Sequence, residues 1–366
     1  MATLGQKQYK TFSYRIKDAR VVKPLSALAF GVNQVWNHCC AAGHHTVRHS
    51  QKWLSKAQLY ASTKGSSKEL GVNSQTVQAV VEAFCDKRKA ARRPFLRWRK
   101  SGGVRRSLGW VPFKNQTVTI EGSKVTYGGK TFYLWKHREM EGKLVSGSFA
   151  EDARGRWYAN FTCEIEAKSA NRMAVVGVDL GLKTAAHGVI VEQDGGVRDA
   201  ILEQSRFYRD LEPTLAEAQR KGRKRQVKTI HAKIANRRKD ALHKFSRQLV
   251  DQAGYIFIGN VSSSFAIASA PKSALDVSWA TLRNLVQYKS AHAGIVCEET
   301  NEAFSTQACS VCGSISGPKG REGLEVRRWV CGDCETEHDR DGNAAMNIAR
   351  FGCETLGLKW PGSRCI

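Results

Sequence analysis

The sequence predicts two folds in series: an N-terminal β module interrupted by helices, then an α/β domain carrying a cysteine-rich insert. Three observations predict this. Apolar and polar residues alternate with period two at Thr11–Ile16 and again between Thr117 and Ile165, the pattern of half-buried strands. After Asn171 the pattern changes to short apolar runs ending in polar turns, the pattern of buried strands in an α/β sheet. Two Cys-x-x-Cys pairs, Cys309/Cys312 and Cys331/Cys334, follow with eighteen residues between them.

In chain order, Phe12, Tyr14 and Ile16 give the first strand its buried face. Beyond Pro24, Leu28, Val32, Val35 and Cys39 recur at helical spacing. A second helix starts near Asn73-Ser74, both good N-caps, with Val77, Val80, Val81 and Phe84 on one stripe. It runs into a basic segment, 86–106, with ten Lys/Arg and one Asp. Pro94 ends the helix there. A charge run by itself is a solvated face. Here Phe95 and Trp98 interleave with the cations, which suits stacked bases and backbone phosphates. Val118/Ile120, Val125/Tyr127, Phe132/Leu134 and Phe161/Cys163/Ile165 then alternate, with Gly122, Gly128-Gly129 and Gly155 as turns. This reads as a barrel-like β module of hairpins, completed by the first strand, with the helices inserted into it.

In the second half, Ala174–Val178 is a buried strand ending in Asp179. Residues 213–250 read as a helical pair with Ile230, Ile234, Ala241, Phe245 and Leu249 on one face. Residues 219–248 carry twelve Lys/Arg against one acid, Asp240, so the outer face is cationic. Tyr255–Ile258 and Gly294–Cys297 are further buried strands.

The 366 residues allow roughly two to three domains. A composition 42% hydrophobic and 25% charged is that of a globular chain. Lys and Arg number 58 against 33 acids, a formal charge of +25. Such an excess calls for a polyanion, nucleic acid before an anionic membrane. No apolar run approaches the roughly 20 residues of a membrane span, and MATLGQKQYK lacks a signal core. Eleven cysteines is an odd number, and four form the two pairs, which fits a reducing cytosol and a metal rather than a disulfide framework. Cys39, Cys40, Cys85, Cys163, Cys297, Cys353 and Cys365 carry no role.

Zinc takes four tetrahedral soft ligands, and two knuckles closing a loop of this length supply them: Cys309, Cys312, Cys331 and Cys334. Four thiolates leave no open position, so this zinc is structural. The intervening loop, with Lys319, Arg321, Arg327, Arg328 and Trp329, is basic and suits nucleic acid. His338 follows the last cysteine as a surface or hydrogen-bonded histidine, because the ligand set is already complete. Asp179 at a strand end and Asp341 at a helix start read first as a turn residue and a helix cap, Asp339 competing for the cap. A carboxylate at each place is also what a pair of Mg²⁺ ions about 4 Å apart requires.

GVDLGLK, the cationic HAKIANRRKDALHKFSRQLV, and then CSVCG, WVCGDC and EHDRDGNAAMNIA occur in one order. Together they resemble the TnpB family of insertion-sequence-encoded, RNA-guided DNA endonucleases, relatives of miniature type V CRISPR effectors. The resemblance covers the chain from about Ala174 onward. It implies an α/β RNase H-like (RuvC) nuclease domain over 170–303 and 338–366, with a zinc ribbon inserted at 304–337. It implies a wedge-type β domain over 1–22 and 100–168, carrying a helical recognition domain at 23–99. Its first and last catalytic Asp map onto Asp179 and Asp341. Its usual middle Glu falls on Gly259, followed by Asn260, and neither can hold Mg²⁺ as an anion.

Two readings follow from that gap. Either the chain is a nuclease-inactive, RNA-guided DNA-binding protein, or the Glu has moved to the neighbouring parallel strand, which carries Glu298, Glu299 and Glu302. Glu302, latest and nearest the sheet edge, is the favoured ligand, with Glu299 and then Glu298 as alternatives. The retention of both aspartates favours an active nuclease. A transposase-type recombinase or accessory protein is a third reading, but no His-hydrophobe-His cluster with a downstream tyrosine accompanies it. The implied partners are a guide RNA and a double-stranded DNA target, the implied place is the prokaryotic cytoplasm, associated with the nucleoid, and the implied ions are structural Zn²⁺ and catalytic Mg²⁺. Arg88, Arg92, Arg93, Arg97, Trp98, Arg99, Arg237, Arg238 and Lys239 are the expected nucleic-acid contacts.

Overall fold

A computed structural model describes residues 7–17, 22–50, 52–166, 172–181, 184–203, 206–260, 278–320 and 322–362. Leu182 and Lys183 of the GVDLGLK motif, Val261, Arg321 and Cys365 lie outside the described residues. The chain forms two compact units, divided at Glu166. No helix among the described residues is long and apolar enough to cross a membrane.

The first unit is a seven-stranded antiparallel sheet built from β1 (Gln8–Ile16), β2 (Trp110–Lys114), β3 (Val118–Glu121), β4 (Lys124–Tyr127), β5 (Lys130–Trp135), β6 (Lys143–Glu151) and β7 (Trp157–Ile165), in the order β2-β6-β7-β1-β5-β4-β3. β1 lies centrally between β7 and β5, so the first strand does complete the later hairpins. The helices α1 (Val22–Ser50), α2 (Lys56–Ser62), α3 (Ser66–Leu70) and α4 (Ser74–Ala91) fall between β1 and β2. Alternation decides the buried face: Phe12, Tyr14, Ile16, Val125, Tyr127, Phe132, Leu134 and Phe161 form one core with Val32, Val35, Cys39, Val80, Val81 and Phe84 of the helices. Val118 and Ile120 on the edge strand are only half-buried.

The helix expected after Pro24 begins at Val22, with Pro24 in its first turn, where its missing N–H is no loss. Asn73 caps α4 by accepting a hydrogen bond from Gln75 N, and the helix ends at Arg92 (φ 49°), two residues before Pro94. The basic segment beyond it is splinted along α1. Trp36 Nε1 donates to Arg97 O at 3.0 Å, Asn37 Nδ2 donates to Arg99 O at 2.8 Å, and Arg99 N donates to Asn37 Oδ1 at 2.7 Å.

The second unit is a five-stranded mixed sheet with helices on both faces. Its strands are β8 (Val175–Asp179), β9 (Thr184–Val191), β10 (Val197–Glu203), β11 (Tyr255–Gly259) and β12 (Val296–Thr300), in the order β10-β9-β8-β11-β12. β8, β11 and β12 run parallel, and β9 and β10 are antiparallel hairpin strands. The helices are α5 (Glu212–Arg220), α6 (Lys224–Gln252), α7 (Trp279–Ala293) and α8 (Arg340–Thr355). The expected helical pair is interrupted at Gly222, whose φ of 61° permits the break between α5 and α6. The buried face of α6 includes Leu242 rather than Ala241, a one-residue change of phase.

One face of this sheet packs on α6 and α7 through Val176, Val178, Ile256, Ile258, Phe245, Leu249, Leu282 and Val286. The opposite face packs on α8, whose contact side is small: Ala344, Ala345, Ala349, Gly352 and Cys353, with Ile348. Two glycines let that helix come close. A Cβ on Gly177 would lie 1.9 Å from Ala345 O, and one on Gly352 would lie 2.1 Å from the Phe257 ring. This close approach brings the first turn of α8 to the ends of β8 and β11.

Candidate active site

Asp179 is the last residue of β8, and its alternation with Val175 and Gly177 turns it toward α8. Asp341 comes from α8. The cap reading of Asp341 is corrected: Asp339 Oδ1 accepts from Gly342 N at 2.9 Å and so caps the helix, which leaves the Asp341 side chain for other work. The three candidate glutamates, Glu298, Glu299 and Glu302, lie on β12 and on the chain leaving it. Parallel pairing sets Gly259 opposite Thr300 and Ile258 opposite Glu299. Glu299 therefore faces the α7 side, where Gln287 Nε2 donates to it at 3.3 Å, and Glu298 is exposed. Glu302, two residues beyond the strand, turns back over the neighbouring strand. A Cβ built on Gly259 would meet Glu302 Oε2 at 2.4 Å and Ile348 Cδ1 at 3.1 Å. The carboxylate of Glu302 thus occupies the space directly above the glycine. Arg283 of α7 holds that strand end, donating from Nη2 to Gly259 O at 2.9 Å.

Burial and nearby charge act on the first of these carboxyls. The Asp179 carboxyl is pushed up to about 7, first by loss of hydration and then by the negative charges of Asp341 and Glu302, with Arg340 opposing. A buried carboxyl raised first by burial and further by two neighbouring negative charges is one whose ionised form a cation would stabilise. Carboxylate oxygens are the donor type that Mg²⁺ takes. Asp341 already has one counter-charge: Arg327 Nη1 donates to its two oxygens at 2.9 and 3.0 Å. The sequence placed Arg327 only in a basic loop; its pairing with Asp341 depends on the fold of that loop.

A second residue was missed entirely. His187 of β9 is the cross-strand partner of Asp179, is buried, and has Nε2 2.9 Å from Asp199 Oδ1 and Nδ1 3.9 Å from Asp339 Oδ1. A lone histidine in an apolar strand gives no signal of this in sequence.

The four cysteines lie between β12 and α8, around the short hairpin of β13 (Arg328–Val330) and β14 (Glu337–Asp339). Their sulfur atoms all lie within 4.8 Å of one another. Cys331 is pulled down to about 6, chiefly by the Ser316 hydroxyl, and Cys334 is pulled down by the Thr336 hydroxyl. Cys309 is raised instead, by burial, and Cys312 is raised to about 12 against a backbone hydrogen bond from Ser314, through burial and the neighbouring sulfurs. Four sulfur donors this close together are the ligand type that Zn²⁺ takes. His338 is buried rather than at the surface, with Nε2 3.0 Å from Cys309 Sγ and its ring 4.6 Å from that of Trp329. Asn343 and Asn347, one turn apart on α8, each donate from Nδ2 to both Ser305 O and Ala308 O, so the helix grips the loop that joins Glu302 to Cys309.

The expected nucleic-acid contacts divide. Arg88 is buried, its guanidinium 5.0 Å from the Trp53 ring centroid and donating to Leu54 O at 2.6 Å, so it serves the fold of the first unit. Arg99 is likewise engaged internally, donating to Asn33 Oδ1 and Leu108 O, each at 2.6 Å. These two are corrections: a charge run read in sequence does not distinguish cations that pin a loop from cations that face solvent. Arg92, Arg93, Arg97 and Trp98 are exposed in the first unit, and Arg237 and Lys239 in the second, with Arg238 half-buried.

Two family models match the second half of the chain: one described as "Probable transposase" over residues 160–264, and one described as "Cas12f1-like, TNB domain" over 279–348. A protein of Streptomyces pristinaespiralis that carries the name RNA-guided DNA endonuclease is 32% identical over 227 residues, covering 60% of this chain and 56% of the relative. The CRISPR-associated endodeoxyribonuclease Cas12f1 of Sulfoacidibacillus thermotolerans is 26% identical over 220 residues, covering 54% and 51%. The matched part of the chain thus spans about half the length of these curated relatives. The Cas12f1 chain of a cryo-EM complex with sgRNA and target DNA shares the fold, with a TM-score of 0.62 at 12% identity, covering 94% of this chain and 99% of that one. The motifs, the order of the matched segments and the fold are thus similar to those of proteins named RNA-guided DNA endonuclease, Cas12f1 and TnpB-like protein.

Proposed function

We propose that the chain is an RNA-guided, Mg²⁺-dependent DNA endonuclease whose RuvC-like, RNase H-type site has moved its middle carboxylate from the end of β11 to Glu302. The observation that carries this is the Glu302 carboxylate lying over Gly259 while its charge, with that of Asp341, acts on Asp179. The glycine is then the complement of the displaced glutamate: it clears the space the carboxylate needs.

In this reading Asp179, Glu302 and Asp341 hold the metal from three elements. Magnesium bound there supplies activation of water and neutralisation of charge at phosphorus. The protein residues do the positioning. Arg327, already at Asp341, meets the scissile phosphate as a counter-charge, and His187 keeps the capped end of α8 beside β9 through Asp339. Hydrolysis leaves a 3′-hydroxyl and a 5′-phosphate. Cys309, Cys312, Cys331 and Cys334 hold structural Zn²⁺ in a zinc ribbon inserted before α8. The first unit is a wedge-type β domain carrying a helical recognition segment. In each unit the cations are candidate contacts to a guide RNA and its paired DNA strand: Arg92, Arg93 and Arg97, with Trp98, in the first, and Arg237, half-buried Arg238 and Lys239 in the second; base pairing supplies the sequence specificity.

The relatives' names support the activity, and the carboxylate geometry supports the retention of chemistry over bare occupancy of DNA. The test is cleavage of a DNA target matched to co-purified RNA, with and without Mg²⁺. Wild type cleaves, and Asp179→Asn and Glu302→Gln bind the target without cutting. Equal cleavage by wild type and Glu302→Gln removes Glu302 from the site, and binding without cleavage by wild type in any divalent metal returns the chain to a DNA-binding role.

A further inference from the structure

The open face of the first unit's sheet carries an arrangement that the carboxylate chemistry does not use. Tyr158 on β7, Arg15 on β1 and Trp135 on β5 are direct cross-strand partners, so they form one row across three strands. Direct partners in an antiparallel sheet project to the same face about 5 Å apart. Trp135 is 57% exposed and Tyr133, on the same face of β5, is 51% exposed. Large aromatics seldom stand this open on a face that is otherwise polar. Cations surround them: Arg15 lies between the two rings of the row, and Lys17 Nζ sits 4.9 Å from the Trp135 ring centroid.

The rows beside the aromatic one are hydrogen-bonding rows. Ser13 pairs with Asn160 and Asn160 with Ser148; Thr11 pairs with Thr162 and Thr162 with Ser146. Flat rings set between fixed cations stack unpaired bases while phosphates are neutralised, a combination that tolerates any sequence. A carpet of hydroxyls and a carboxamide next to that row is what tells ribose from deoxyribose, because the 2′-hydroxyl both donates and accepts.

We infer that this sheet face is a binding platform for unpaired, single-stranded RNA, its bases stacking along the Tyr158–Arg15–Trp135 row and its riboses lying over the Ser13–Asn160 and Thr11–Thr162 rows. The inference rests on the reading that the chain works with RNA and names the face and the form of RNA that it takes. It does not depend on the carboxylates.

The experiment uses the full chain and a fluorescein-labelled, unstructured single-stranded RNA of about 12 nucleotides, followed by anisotropy. Trp135→Ala is expected to weaken binding about tenfold, with Tyr158→Ala in the same direction, while Trp135→Phe retains most of the affinity. Arg15→Ala is expected to reduce the salt slope by about one. Affinity for a blunt RNA duplex changes less than about twofold in the aromatic variants, because paired bases cannot stack on the face. A DNA strand of the same sequence binds more weakly than the RNA. Trp135 projects into solvent, so its variants keep the fold, and circular dichroism checks this. Binding unchanged by both alanine variants, or an equal loss for duplex, overturns the platform; equal affinity for the DNA strand overturns the assignment to RNA. Asp179→Asn, expected to abolish cutting, leaves this binding intact, so failure of the platform and failure of the nuclease reading give different results.

Discussion

Substituting Gly259 by alanine adds a single methyl at the position where the structure is most informative. The new Cβ would stand 2.4 Å from Glu302 Oε2 and 3.1 Å from Ile348 Cδ1. An ordinary carbon–oxygen contact is near 3.4 Å, so the carboxylate must retreat by about 1 Å, whereas the isoleucine methyl gives by a few tenths. The atom displaced is the far end of a side chain, so folding suffers little; about 1 kcal/mol or less is expected, at the low end of overpacking costs. The chemistry suffers more, because a misplacement of about 1 Å in a catalytic constellation costs on the order of a hundredfold. The assay is single-turnover cleavage of an RNA-matched target at saturating Mg²⁺, with target binding and urea melts on the same preparations. Gly259→Ala should bind normally, melt near wild type and cut about a hundredfold more slowly. Wild-type cleavage by a folded Gly259→Ala would refute the claim that Glu302 works from above this glycine. The double variant Gly259→Glu with Glu302→Ala, which returns the carboxylate to β11, should recover more cleavage than either single variant.

Three further predictions follow from the same site and its surroundings. Asp179 titrates near 7 in the folded chain against an ordinary 3.8. Without added Mg²⁺ the folded state therefore holds the extra proton between these values, and stability is lost as pH rises through that window, by at most about 4 kcal/mol. Asp179→Asn should flatten that slope in urea melts between about pH 5 and pH 8 and should be the more stable protein at the upper end; parallel curves for the two proteins contradict the shift. Removing Zn²⁺, or Cys312→Ser, should unfold the β13–β14 hairpin and release Arg327 from Asp341, read as loss of amide protection confined to the cysteine segment and the start of α8. His338→Ala should lower Zn²⁺ affinity about 10–100-fold in a chelator competition, since it leaves Cys309 without its imidazole neighbour; unchanged affinity assigns the histidine to packing on Trp329 alone.

Much of the fold was legible because it follows from period and punctuation. The strict alternation of β1 and β5 fixed their buried faces, and Asn73 and Pro94 bracketed α4 from both ends. The cysteine tetrad was legible because its spacing is itself the geometric constraint. Other parts were not, and for physical reasons. The helical pair was expected, but the position of its break at Gly222 depends on one residue adopting positive φ, which a helical stripe does not reveal. Arg88 and Arg99 look like Arg92 and Arg97 in sequence, and only the folded loop decides which cations turn inward.

At the site, the missing glutamate was visible as Gly259, and the three candidates were visible on the next strand. Where β12 ends was not legible: Glu302 lies past the pleat and bends over Gly259, which is what favours it in the proposed reading, while Glu298 and Glu299 remain in the ladder. Arg327 and His187 reach the site through contacts between segments far apart in sequence, and no local pattern encodes those.

The central claim is that Asp179, Glu302 and Asp341 form one metal-binding cluster despite the glycine at the end of β11. Counting Mn²⁺ bound by the zinc-loaded protein, by electron paramagnetic resonance, tests it without relying on a substrate or a guide. Wild type should bind Mn²⁺ at this cluster, and Glu302→Gln and Asp179→Asn should each weaken that binding at least about tenfold while Glu298→Gln leaves it unchanged. Binding that is indifferent to Glu302, or that follows Glu298 instead, contradicts the account.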